Sequence, residues 1–151
     1  MQPNIISKPE MLLVGMSFYG DPFDTSGVWT EENQIGRVWQ RFMRYLEQHS
    51  GAIQNRTAVD VFLEVQIYNQ ETIEKGFFEV FVGVQVEQLQ PIPLELLGKV
   101  LPATDYAVFT LVGEAIFSDW DMHIDQWLAQ AGYRRAYPYS IQYYDSRYKG
   151  L

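Results

Sequence analysis

The feature that most restricts the fold is a pair of neighbouring segments in which apolar residues occupy every second position. Residues 58–68 and 77–86 both alternate in this way. Because successive side chains of a strand point to opposite faces of a sheet, the alternation predicts two half-buried antiparallel strands. We expect the stretch from Asn69 to Gly76 to form the turn that joins them. The centre of the chain is therefore predicted to be a β-hairpin.

Helices and further strands flank this hairpin. Thr30 is the predicted N-cap of a first helix that Gly51 ends, and a second helix is predicted over residues 115–131. Further strands are predicted over residues 11–19, 94–101, 104–112 and 137–145. A strand–helix unit therefore occurs twice along the chain, without similarity between the two copies in sequence.

These elements predict an α+β fold. Two helices are too few to cover both faces of a sheet, so we expect them on one face of an antiparallel sheet. The opposite face of the sheet would then be free to form a cleft. No linker or change in composition separates these elements, so we expect residues 1–151 to form a single domain.

Composition excludes several classes of function. The 151 residues include no cysteine and only two histidines, His49 and His123, so we expect neither a metal site nor a cofactor. A net charge of −8 argues against direct nucleic-acid binding, because phosphates require a basic surface. The chain shows no signal peptide and no apolar run of membrane-spanning length, which predicts a cytoplasmic protein. Common catalytic motifs are absent, and we assign no catalytic residue.

One face of the predicted hairpin combines aromatic rings with carboxylates. The alternation groups Phe62 and Phe81 with Asp60, Glu64 and Glu79. Rings attract cations, and a carboxylate beside them supplies a counter-charge, so this face suits a lipophilic cation. The alternative interpretation is a solvent-facing surface on which the two phenylalanines are covered locally.

Three stretches resemble a known family. Residues 35–42, I-G-R-V-W-Q-R-F, resemble its I-P-x-L-W-x-x-F helix, and residues 78–86, F-E-V-F-V-G-V-Q-V, resemble its F-E-Y-x-A-G-V-E-V strand. Within residues 102–145, the motifs P-A-T-D-Y-A-V-F-T-L-V-G, W-L-A-Q-A-G-Y and I-Q-Y-Y-D follow in the family order. The chain thus resembles the GyrI-like, or AraC-type, effector-binding domains.

The resemblance implies duplicated strand–helix–strand–strand modules with a ligand cleft between them, and it assigns residues to this cleft. Trp39 is expected to offer a ring from the first helix, and Phe18 and Tyr19 are expected to form part of the rim. The remaining candidates are Tyr106 and Phe109 in the second module, and Gln142 and Tyr144 on the last strand.

Two departures from the family pattern affect these expectations. The family commonly has a buried glutamate, which pairs with cationic drugs, at the position of Gln142. An amide carries no charge and cannot act as a general base, and Glu79 is the candidate replacement if it faces the cleft. The family also continues into one more strand, so we expect the second module either to have an open edge or to be completed by a partner chain.

The resemblance implies three kinds of function, of which we favour the first. This is a module without an attached DNA-binding segment that holds an aromatic or lipophilic small molecule, neutral or weakly cationic, and is linked to transcription regulation. The second is a hydrolase of strained electrophiles, for which Glu79 and Tyr144 are the candidate residues. The third is an interaction protein that inhibits DNA gyrase or anchors another regulator. The expected protein partner is a second copy of the chain or a separate regulator.

Overall fold

The computed structural model describes residues 2–23, 33–113 and 120–147. Its strands are β1 (Asn4–Lys8), β2 (Met11–Gly20), β3 (Phe62–Ile67), β4 (Phe78–Val86), β5 (Leu97–Leu101), β6 (Thr104–Val108) and β7 (Tyr139–Tyr144). Its helices are α1 (Gln34–Gln48), α2 (Gln70–Lys75) and α3 (Trp120–Ala131). The chain divides into a larger unit, Met11–Leu101 with Pro138–Leu151, and a smaller unit, Met1–Glu10 with Pro102–Tyr137. The single-domain organisation stays a prediction.

The larger unit is built on a five-stranded antiparallel sheet, which confirms the α+β class. Its strand order is β5-β2-β4-β3-β7, so the two central strands of the predicted hairpin are neighbours inside the sheet. In their ladder Glu64 is opposite Val82, and Val65 is opposite Phe81. Directly opposed residues of an antiparallel ladder point to the same face. This register therefore fixes which side chains share each side of the sheet.

Helix α1 covers one face of this sheet, which we call the helix side. The valines that β4 presents at every second position pack against the buried residues of the helix. The core they form includes Ile35, Val38, Phe42 and Tyr45 of α1 and Phe78, Val80, Val82, Val84 and Val86 of β4. The period-two pattern of β4 thus identified the face that packs against α1, but the prediction of a half-buried strand is wrong for β4, since Phe81 on its other face is also fully buried.

The ends of α1 differ from the predicted ones. Thr30 lies outside the described residues, and the N-cap of the helix is Asn33. The side-chain oxygen of Asn33 accepts a hydrogen bond of 3.0 Å from the backbone N–H of Gly36. Asn33 is fully buried, so water does not compete for this bond, which favours it as the cap. The helix ends at Gln48, and Gly51 lies beyond it with a φ of 87°.

A short helix joins β3 to β4 where we predicted a turn. Asn69 caps α2: its side-chain oxygen accepts a 2.9 Å bond from the N–H of Glu71, and its own N–H donates to the hydroxyl of Thr72 at 3.0 Å. Gly76 ends the helix in the left-handed conformation, with a φ of 76°. The reciprocal bonds between Asn69 and Thr72 satisfy the backbone groups at the start of the helix, which stabilises a single turn here.

The last strand completes the larger sheet. β7 pairs with the outer edge of β3, which places Ile141 opposite the buried Val65. This pairing satisfies backbone groups of β3 that would otherwise form an open edge. The second strand–helix unit of the chain therefore contributes its final strand to the sheet of the first.

The smaller unit contains β1, β6 and α3. Strand β1, which pairs antiparallel with β6, was not predicted because its segment is polar and lies between Pro3 and Pro9. Helix α3 is described from Trp120 onward, so the start predicted at residue 115 falls outside the described residues. None of the helices described is both long and apolar enough to cross a membrane.

Candidate functional site

A buried glutamate lies at the centre of the helix side of the sheet. Glu64 is only 2% exposed to solvent. The indole Nε1 of Trp39 donates a 2.8 Å hydrogen bond to its Oε1, and Nε2 of Gln66 donates a 2.7 Å bond to its Oε2. Each carboxyl oxygen therefore has a neutral donor.

Aromatic rings surround this carboxylate. The half-buried Trp39 meets the ring of Tyr144 edge to face at 5.3 Å between centroids, and that of Phe62 at 6.5 Å. Strand alternation brings Phe62, Glu64 and Gln66 to the helix side, and the pairing of β3 with β7 adds Tyr144. We call Trp39, Phe62, Glu64, Gln66 and Tyr144 the Glu64 cluster.

The electrostatics of the cluster are those of an acid without a counter-charge. Burial raises the pKa of Glu64 above its ordinary value, while the hydrogen bonds from Trp39 and Gln66 act in the opposite direction. No ion pair to Glu64 is present among the described residues. A buried carboxylate of this kind is costly to ionise in the free protein, and a cation placed beside it would lower that cost.

Strand β7 gives the cluster its accessible side. Gln142 is directly opposite Glu64 in the ladder, yet its side chain is exposed. The hydroxyl of Tyr144 donates a 2.5 Å hydrogen bond to Oε1 of Gln142. The position where the family has its acid therefore lies beside the buried carboxylate, one strand away.

The predicted grouping of Glu79 and Phe81 with Phe62 and Glu64 is wrong. Since Val65 pairs with Phe81, and Ile67 with Glu79, the latter two residues lie on the face opposite to the helix side. A one-residue difference in register reverses the face of every side chain. The structure therefore brings Glu79 together with neither Trp39 nor Gln142.

Glu79 also has partners of its own. It accepts a 2.7 Å hydrogen bond from the hydroxyl of Ser17 and forms a 3.0 Å ion pair with Lys99. Tyr144, the other residue considered for hydrolysis, points to the helix side of the sheet. The two candidates for a hydrolase therefore lie on opposite faces.

The two predicted rim residues at the end of β2 also separate. Phe18 is on the helix side and packs, partly buried, against the core, whereas Tyr19 is on the other face, opposite Glu79. Tyr19 is 48% exposed, and its hydroxyl donates to the carboxylate of Glu71. This hydrogen bond is the main reason that the pKa of Tyr19 is raised.

The remaining two candidates lie in the smaller unit. Tyr106 is on β6, opposite Ile6 of β1. Phe109 follows β6 and lines a cavity of about 220 Å³ with residues of one face of α3, namely Trp120, His123, Gln126, Trp127 and Gln130. Phe109 meets Trp127 edge to face at 5.8 Å. We call this hollow the α3 cavity; no carboxylate is among the residues that line it in the described structure.

Glu64 is the candidate site residue that sequence reasoning passed over. It was assigned to a mixed polar and aromatic face but was not chosen, because the family places its acid at the position of Gln142. The available signal was the alternation of Phe62, Glu64, Gln66 and Tyr68, four polar or aromatic residues on one side of a strand whose other side is apolar.

Within the described residues, acidic residues and histidines form no group of three or more suited to a metal ion.

Comparison with known sequences gives this arrangement a context. A family model described as "Integron-associated effector binding protein" matches residues 4–150. The transcriptional regulator BrlR of Pseudomonas aeruginosa is 29% identical over 153 residues, an alignment that covers 99% of this chain and 50% of that protein. The chain thus spans about half the length of this curated relative.

Two solved structures share the fold. SAV2435, determined bound to tetraphenylphosphonium, has 16% identity and a TM-score of 0.59, with 87% of this chain and 75% of that chain covered. The integron cassette protein VCH_CASS2, from the mobile metagenome of Vibrio cholerae, has 17% identity and a TM-score of 0.54, with coverages of 97% and 90%. The resemblance to GyrI-like domains is confirmed, and the chain belongs to the family of integron-associated effector binding proteins.

Proposed function

We propose that this effector-binding protein takes a lipophilic aromatic cation at the Glu64 cluster. The observation that carries the proposal is a carboxylate, 2% exposed, whose only hydrogen-bond donors in the described structure are the neutral groups of Trp39 and Gln66. Such a group favours a cation over a neutral or anionic molecule of the same shape, because it has no competing counter-charge.

The rings of the cluster supply the rest of the affinity. Beside the buried acid, the ring centroid of Trp39 lies 5.3 Å from that of Tyr144 and 6.5 Å from that of Phe62. Indole and phenol faces attract a delocalised cation, and burial of its apolar surface contributes at roughly 25 cal/mol per Å². Because Glu64 is covered, we expect the ligand to displace the Trp39 indole and approach from the side of the exposed Gln142.

Relatives support this chemistry. The structure of SAV2435 was determined with tetraphenylphosphonium, a cation whose charge is surrounded by four phenyl rings. We infer the same class of ligand for this chain from its own buried acid. The exposed amide of Gln142 would orient the ligand by hydrogen bonds, as its position on β7 beside Glu64 permits.

The test compares two ions of the same shape. Tetraphenylphosphonium and tetraphenylborate both present four phenyl rings around a central atom but carry opposite charges. In isothermal titration calorimetry at pH 8, we expect the cation to bind at least about tenfold more tightly than the anion. Equal affinities, or no heat with either ion, would overturn the proposed function.

We further propose that ligand occupancy is passed to a protein partner in the cytoplasm, either a second copy of the chain or a separate regulator. The support is the similarity to BrlR, a transcriptional regulator. Light scattering with and without tetraphenylphosphonium distinguishes the two. A dimer mass supports the homodimer, whereas a monomer mass in both states excludes it.

A further inference from the structure

The side chains of Glu64, Gln66 and Tyr68 form a chain of hydrogen bonds. Nε2 of Gln66 donates to Glu64 at 2.7 Å, and Oε1 of Gln66 accepts from the hydroxyl of Tyr68 at 3.0 Å. The three residues are two positions apart, so all point to the helix side. The hydroxyl of Tyr68 also lies 3.4 Å from the hydroxyl of Ser140 on β7.

In this chain the Gln66 amide is oriented with its oxygen toward Tyr68 and its NH₂ group toward Glu64. An amide has a donor end and an acceptor end. With the Tyr68 hydroxyl bonded to the oxygen, the NH₂ group faces Glu64. Trp39 occupies the other carboxyl oxygen with a further donor. Both oxygens of Glu64 thus act as acceptors, the arrangement that an ionised carboxylate requires.

We propose that Gln66, oriented by Tyr68, is a positioning residue that holds Glu64 as an ionised acceptor and thereby sets the preference of the site for cations. The inference rests on the proposed function, since it concerns the same site. Gln66 itself need not touch the ligand: it acts through the carboxylate.

The other groups near Glu64 do not compete for this role. The titratable or charged side chains near the cluster include the phenols of Tyr68 and Tyr144 and the guanidinium of Arg56, which lies 5.3 Å from the centroid of the Phe62 ring. Helix α1 adds the buried phenol of Tyr45 to the same core. Phenols ordinarily titrate near 10 and guanidinium groups above 12. A pH dependence of binding well below those values therefore reports the ionisation of Glu64.

The experiment is the pH profile of tetraphenylphosphonium affinity in Gln66→Met, which keeps the approximate size of the side chain and removes the donor. Loss of the donor disfavours the ionised form of Glu64. We expect the rise of affinity to shift to higher pH, so that binding is weakened at the acidic end of the profile and returns to the wild-type level at the alkaline end. Tyr68→Phe should shift the profile in the same direction by less, and Gln70→Met, at an exposed position on α2, should not shift it.

A Glu64→Gln background separates positioning from packing. There, Gln66→Met should leave the pH profile flat, because no carboxylate remains to titrate. If Gln66→Met instead weakens binding equally at every pH, Gln66 acts by shape and the inference is overturned. If Gln66→Met does not fold, an unshifted profile in Tyr68→Phe overturns it. Failure of the wild-type protein to bind tetraphenylphosphonium defeats the proposed function instead.

Discussion

The two units of the molecule each gather aromatic rings, but they differ in charge. In the larger unit the Glu64 cluster places Trp39 and Tyr144 around a carboxylate, whereas in the smaller unit Phe109 and Trp127 line the α3 cavity, whose described lining has no acid. Rings alone bind by buried area and attract many flat molecules with little discrimination. Under the proposed function, the carboxylate, and not the number of rings, sets whether a site prefers cationic ligands.

The largest expected effect comes from removing that charge. Glu64→Gln keeps the size of the side chain but abolishes the Coulombic attraction to a cation in a buried site, so the affinity for tetraphenylphosphonium should fall by roughly 30- to 100-fold. The affinity for tetraphenylborate should rise or stay unchanged, because the repulsion is also gone. Calorimetry with both ions measures the loss of preference directly.

A matched control separates the effect of where the carboxylate lies from the effect of the net charge of the protein. Glu87→Gln removes one negative charge from an exposed residue just beyond β4. Its effect on either ion should be less than twofold, since exposed charges are screened by water and salt. If Glu87→Gln lowers cation affinity as much as Glu64→Gln, net protein charge rather than the buried acid controls binding.

The second prediction addresses the α3 cavity. Trp127→Leu removes a ring that contacts Phe109 at 5.8 Å and stacks against Tyr133, also at 5.8 Å. For a ligand that binds in this cavity, the affinity should fall about three- to tenfold. The loss should be the same for tetraphenylphosphonium and for neutral triphenylphosphine oxide, because no acid in the described lining discriminates between them. A selective loss of the cation would mean that charge is read in the smaller unit as well.

The third prediction concerns stability. Burial raises the pKa of Glu64 in the folded state, so between the unfolded and folded pKa values the folded state binds more protons. Stability therefore falls as pH rises through this window. Glu64→Gln cannot ionise, so its free energy of unfolding relative to wild type should rise as pH increases from 4 to 8. Urea denaturation at both pH values measures it, and a pH-independent difference would contradict the assignment to ionisation.

The sequence specified individual strands more reliably than their relation to each other. The alternation in β4 correctly identified Val80, Val82 and Val84 as buried. It did not set the register of β4 against β3, because α2 lies between them and a connection of that kind fixes no register. Glu64 was therefore grouped with Glu79 instead of with Val82.

In the candidate site, too, the sequence predicted single residues better than the contacts between them. The motif match predicted Trp39 as a site residue, and the structure places it beside Tyr144, another candidate. Its partner Glu64 emerged only from the packing of α1 against the sheet, since residues 25 positions apart meet in this hydrogen bond. A contact between a helix and the strand that follows it depends on packing geometry, which the local sequence pattern does not contain.

The smallest expected effect comes from the other carboxylate of the central strands. Glu79→Gln removes the ion pair with Lys99, both of whose side chains are about one quarter exposed or less, and should lower the free energy of unfolding by less than about 1 kcal/mol. Its effect on tetraphenylphosphonium affinity should be within about twofold, because Glu79 points away from Trp39 and already has a cationic partner. Chemical denaturation and calorimetry on the same protein measure both quantities. A loss of cation affinity in Glu79→Gln as large as in Glu64→Gln would show that ligand is held on the face opposite α1, and the distinction between a paired and an unpaired acid would no longer account for binding.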